Sequence, residues 1–122
     1  MESEEGNNYN LSQLTNGIVR LEIEEDIELS GEHVQEYIDE MDIYYKDGKL
    51  PLLLVVLPHS YAISFSAMSQ AKNNKGAKRM AIISKRIAMR RGLQLALRIS
   101  KINVPIHFFN EEEQGIKWLL DA

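Results

Sequence analysis

The chain reads as an α/β protein with a four- to five-stranded, mostly parallel (mixed) sheet and helices on its faces. Three observations point there. Leu50 to Leu57 (LPLLLVVL) is apolar at almost every position, the pattern of a central strand covered from both sides. Segments of strand character near residues 17–24, 50–57, 78–84 and 104–109 alternate with segments of helical periodicity. That alternation implies parallel strands joined by right-handed crossovers.

Taken in order, residues 1–16 are rich in Glu, Asn and Ser without periodicity and are expected to form a flexible acidic tail. Residues 17–122 then make a single domain. Val19, Leu21 and Ile23 alternate with Arg20, Glu22 and Glu24, a half-buried strand, with a short antiparallel return expected through Ile27 and Leu29. Ser30 opens a helix as its N-cap, Leu29 and Val34 stand at the spacing of a hydrophobic staple, and Tyr37, Ile38 and Met41 continue the apolar stripe to Asp47-Gly48. Pro51 belongs at the start of the central strand, where no ladder donor is needed. Pro58 to Tyr61 reads as a loop, and a short helix starts at Ser64 and stops near Asn73-Asn74-Lys75-Gly76. Lys78 to Ser84 is a strand. Residues 86–102 form a helix whose Ala88, Gly92, Leu95, Ile99 and Ile102 share a core face, Gly92 allowing close approach to the sheet. After the last strand, Asn110 is expected to cap a helix whose Glu111, Glu112 and Glu113 suit its positive end.

Charge is divided along the chain. Residues 1–50 hold fourteen acids against Arg20, Lys46 and Lys49, whereas residues 72–101 hold ten Lys or Arg and no acid, within a net charge of −4. Segregation of this kind steers partners and does not build folds. The absence of cysteine excludes disulfides, thiolate metal sites and a cysteine nucleophile, and suits a cytoplasmic protein. No apolar run approaches the roughly 18 residues that span a bilayer, so no membrane contact is expected.

Several residues are candidates for a site. Ser84, Lys85 and Arg86 follow a parallel strand, where open α/β sheets place ligands, and offer a candidate anion site. Met89, Leu93 and Leu97 form a second apolar stripe on the 86–102 helix, rimmed by Arg86, Arg90 and Lys101; it is either buried or a partner surface, and as the latter it is the best candidate interface. Ser64 and Ser66 open the short helix as cap and first-turn residues. His33, His59 and His107 fall on separate elements without metal-ligand spacing, and no nucleophile elbow or phosphate loop is present, so no catalytic residue, metal or cofactor is expected. The basic run lacks aromatics, which argues against nucleic acid.

The N-terminal hairpin, PLLLVVL, the Ser-rich helix start, KRMAIIS and the closing PIHFFNEEEQGIKWLL together resemble the STAS-like, SpoIIAA-like group of small bacterial domains over residues 17–121. The resemblance implies a SpoIIAA-like fold and, as in anti-sigma-factor antagonists, regulation by protein contact. It also makes Ser64 and Ser66 candidate phosphoacceptors, although the Asp and Gly of the group's phosphorylated motif are absent from Ile63-Ser64-Phe65-Ser66-Ala67. The expected function is therefore a non-enzymatic interaction module with an acidic protein partner, a second copy of itself included, and homo-oligomers as a result. A small-molecule or lipid-binding domain is the first alternative, and weak nucleic-acid binding through 72–101 the second.

Overall fold

Four strands that share one direction form the centre of the structure. The computed structural model describes residues 9–14, 17–25, 27–41, 50–59, 61–63, 77–86, 90–95 and 104–121. Within these lie β1 (Tyr9–Gln13), β2 (Val19–Ile23), β3 (Ile27–Leu29), α1 (Gly31–Met41), β4 (Leu52–Val56), β5 (Tyr61–Ile63), β6 (Arg79–Ile83), β7 (Ile106–Phe109) and α2 (Glu112–Leu120). Residues 90–95 are also helical. The main sheet has the order β1-β2-β4-β6-β7, so β4 is its central strand. β2, β4, β6 and β7 run parallel, and β1 joins β2 antiparallel, Tyr9 opposite Ile23 and Gln13 opposite Val19.

The strand at Tyr9–Gln13 corrects the expectation of a loose tail through residue 16. Tyr9 is buried, meets the Tyr37 ring edge-on at 4.6 Å, and donates its hydroxyl to Glu40 Oε2 at 2.8 Å. Burial, together with the Glu40 carboxylate, pushes the Tyr9 phenol above its ordinary pKa. The turn into β2 closes with Gly17 N–H donating to the Leu14 carbonyl at 3.0 Å, Gly17 holding φ +88°, a value only glycine adopts readily. The second correction concerns Ile27–Leu29. It does not return along β2 but pairs in parallel with Tyr61–Ile63, making a separate two-stranded sheet, so Tyr61 is strand where a loop was expected.

Alternation sorts the side chains between two layers. Val19, Leu21, Ile23 and Leu53 pack with Tyr9, Leu29 and Tyr37 under α1, while Ile82 on the same face packs with Tyr61 and Leu93. Ile18, Leu54, Ala81 and Ile83 face the other way, onto Leu119 of α2. Ser30 caps α1: its carbonyl accepts the Val34 N–H at 3.1 Å, and its hydroxyl lies 3.4 Å from the His33 N–H. At α2 the cap is Glu111, one residue after the expected Asn110, and its N–H donates to Gln114 Oε1 at 3.3 Å. Among the described residues no helix is long and apolar enough to cross a membrane.

The close helix–sheet approach expected at Gly92 occurs at Gly115 instead. Gly92 is exposed, with nothing among the described residues within 4 Å of where a Cβ would stand. A Cβ on Gly115 would meet Ile83 Cδ1 at 2.9 Å, Leu54 Cδ1 at 3.1 Å and Ala81 Cβ at 3.2 Å. The two terminal methyls can swing aside, but the Ala81 Cβ is fixed to the backbone. Gly115→Val is accordingly expected to lower unfolding free energy by about 1–3 kcal/mol through overpacking, read as a lower denaturation midpoint. An unchanged midpoint shows that α2 does not need this contact.

Candidate functional site

Parallel strands deliver the residues that follow them to one end of the sheet, where α/β proteins gather their ligands. Here Glu24 and Glu25 follow β2, Leu57, Pro58 and His59 follow β4, Ser84, Lys85 and Arg86 follow β6, and Asn110 and Glu111 follow β7. Two adjoining clefts open at this end and share Val56 and Leu57. One, of about 560 Å³, is lined by Asn10, Glu22, Ile23, Glu24, Glu25 and Pro58 besides those two. The other, of about 430 Å³, adds Ile83, Lys85 and Glu111 to Glu113. The floor is aliphatic and the walls are mainly carboxylate.

A bidentate ion pair ties the walls together. Arg20 Nε and Nη2 donate to Glu112 Oε1 and Oε2, both at 2.9 Å, and Nη1 donates to Glu22 Oε1 at 3.0 Å. This fork joins β2 to the first turn of α2, where the helix dipole also favours a carboxylate. Hydrogen bonding to Arg20 holds the Glu112 carboxyl below its ordinary value, against a smaller opposing effect of burial, and the Glu112 carboxylate raises Arg20 in turn. Lys85 Nζ lies 3.8 Å from Glu111 Oε1 with both side chains mostly exposed, a pair that contributes little.

Ser84, Lys85 and Arg86 are not brought together. Ser84 is 2% exposed and faces the layer of Tyr61 and Leu93, whereas Lys85 turns to the glutamates and Arg86 Nη1 donates to the His59 carbonyl at 3.3 Å. Charge decides against the anion site, because the cleft that Lys85 lines has three carboxylates for one ammonium. The Ser84 hydroxyl tempers the rise that burial imposes on the Tyr61 phenol, yet neither oxygen has a well-formed hydrogen bond.

On the 90–95 helix it is Leu93 that turns inward and Leu95 that turns outward. Leu93 is 8% exposed and packs with Tyr61 and Ile82, while Leu95, expected in the core, is 56% exposed. Leu93 is therefore a core residue and not an interface. Arg90 Nη1 donates to Asn110 Oδ1 at 2.8 Å, closing this end of the sheet. Ser64, Ser66, Met89, Leu97 and Lys101 lie outside the described residues.

Two arrangements were not anticipated from sequence. Arg20 is the lone cation of an acidic strand, a signal for a partner carboxylate, but nothing in the sequence points to Glu112. The Arg79 guanidinium carbon stands 4.0 Å from the Trp118 ring centroid, and His107 stacks on the same ring at 4.6 Å. Arg79 Nη1 also donates to the Leu119 carbonyl at 3.2 Å, so this cation is spent on holding α2. His33, His59 and His107 sit on α1, after β4 and in β7; among the described residues no three His, Asp or Glu groups converge to hold a metal.

Comparison with known proteins adds the family and the fold. A family model described as a domain of unknown function, DUF7793, matches residues 12–122. An uncharacterized protein of the DUF3478 family from Shewanella loihica PV-4, with a SpoIIAA-like fold, is similar in structure with a TM-score of 0.61 and 15% sequence identity, covering 91% of each chain. The SpoIIAA-like α/β fold expected from sequence is thus the fold observed. No curated protein matches the chain.

Two measurements probe this end of the molecule. Leu93→Ala is expected to cost about 2–5 kcal/mol, as buried leucines do, and Leu95→Ala, the residue expected from sequence in the core, to stay within about 0.5 kcal/mol. Glu112→Gln tests the ion pair. Because the folded pKa of Glu112 is depressed, its stabilisation is present above the ordinary value of 4.5 and is lost as pH falls through the lower folded value. Wild type should therefore exceed Glu112→Gln by about 1 kcal/mol near neutrality, a figure kept small by partial exposure, with the gap closing in acid. Parallel stability–pH curves would show that the pair contributes nothing.

Proposed function

Since the chain belongs to the DUF7793 family, whose function is unknown, and folds as a SpoIIAA-like domain, we propose that it is a non-enzymatic docking module acting in regulation in the cytoplasm, with a charged protein surface as partner and self-association among its contacts. The observation that carries this reading is that the charges of both signs, segregated along the chain, stand on the surface. Glu24, Glu25, Glu28, Glu32, Glu36, Asp39 and Glu40 are exposed along one part of the chain, and Lys78, Lys85, Arg86 and Arg91 along another. Such surfaces raise encounter rates and select partners by sign. The basic stretch suits an acidic partner, and a second copy carries one.

Size-exclusion chromatography with light scattering tests the proposal. At low ionic strength the mass is expected to exceed the monomer and to return to it near 1 M salt, where the Debye length shrinks to about 3 Å. A protein that stays monomeric throughout and captures no protein partner overturns it.

A further inference from the structure

The strand directions say which surfaces meet. Glu24 and Glu25 follow β2 and wall the larger cleft, whose floor of Val56, Leu57 and Pro58 gives an apolar seat beside the carboxylates. Glu22, the third acid there, is held by Arg20, but Glu24 and Glu25 make no ion pair among the described residues. Among the described residues no Lys or Arg lines this cleft. At the other end of the sheet, Lys78 immediately precedes β6; it is exposed, and its N–H donates to the Pro51 carbonyl at 2.8 Å beside the start of β4. In sequence it ends the stretch Lys72, Lys75, Lys78, which contains no acid.

Both groups belong to one parallel sheet, so a strand length separates them within a molecule. Five residues at about 3.3 Å each give roughly 17 Å. That is twice the Debye length of about 8 Å at physiological salt. They cannot neutralise one another in one chain, although opposite ends of two chains can. We propose that the acidic cleft at the carboxyl end of β2 and β4 receives the amino end of β6 of a second copy, with Lys78 as the entering cation, so that copies associate head to tail. This rests on the docking reading above and names its surface. The contact is heterologous: each copy uses two different faces, and association continues beyond a pair unless the rotation closes a ring.

Mixing charge-neutralised variants separates this geometry from all others. Glu24→Gln/Glu25→Gln keeps only the Lys78 end, and Lys78→Gln only the acidic cleft. Each alone is expected to need at least about tenfold more protein for half-association than wild type, a loss of about 1.4 kcal/mol. Mixed at low salt, the two should form a one-to-one dimer that grows no further, while Glu32→Gln/Glu36→Gln, with the same charge change on α1, associates as wild type does. A mixture that stays monomeric, a cleft variant that assembles like wild type, or equal loss in the α1 control overturns the head-to-tail cleft. In those cases the docking reading survives wherever wild type still associates. A wild-type chain that is monomeric at low salt overturns this inference outright, and partner capture then decides the docking reading separately.

Discussion

Because β2, β4, β6 and β7 run in one direction, every segment that leaves them emerges at one end of the sheet and every segment that enters arrives at the other. The remaining features follow from this constraint. It collects Glu24, Glu25, Lys85 and Glu111 around the aliphatic ends of β4 and leaves Lys78 on the far side. Part of the uneven charge pattern thereby acquires a direction in space, with Glu24 and Glu25 at one end and Lys78 at the other, while Lys85 and Arg86 share the acidic end. An antiparallel sheet with the same strands would place successive connections at alternating ends.

The layer opposite α1 is held by contacts of a different kind. α2 lies close enough to the sheet for Gly115 to be required at its contact with Ala81, and its ends are secured by polar groups. The Arg20 fork grips Glu112 at the first turn, and Arg79 meets the Leu119 carbonyl and the Trp118 ring at the last. Fixed geometry matters more here than the gross strength of the ion pair. A partly exposed pair contributes on the order of 1 kcal/mol, whereas misplacing the helix exposes Leu54, Ala81, Ile83 and Leu119, all nearly without solvent contact. The same fork fixes one wall of each cleft.

Sequence and structure agree where local pattern and tertiary demand coincide. The apolar run at Leu52–Val56 is the central strand, the Leu29–Val34 staple packs into the core, and the alternation of Val19, Leu21 and Ile23 faces α1. They part where pattern is ambiguous. Tyr9 and Leu11 show the alternation of a strand, and Asn16-Gly17 carries the turn chemistry of a hairpin, but the acidic residues before them mask both signals. Ile27–Leu29 has strand character without information about its partner, which stands more than thirty residues later at Tyr61–Ile63. On the helix after β6, apolar residues circle most of the surface, so periodicity does not choose between the Leu93 and Leu95 faces.

Sequence by itself determined the class of fold, the direction of the central strands and the division of charge, because each is written in local periodicity or in simple composition. Tertiary structure decided that Ser84 lies inside, that Lys85 meets carboxylates, that Arg20 reaches Glu112, and that Gly115 and not Gly92 touches the sheet. Those facts depend on which face of each element turns inward and on pairs as far as 92 residues apart. Only packing, which compares all such arrangements at once, selects among them.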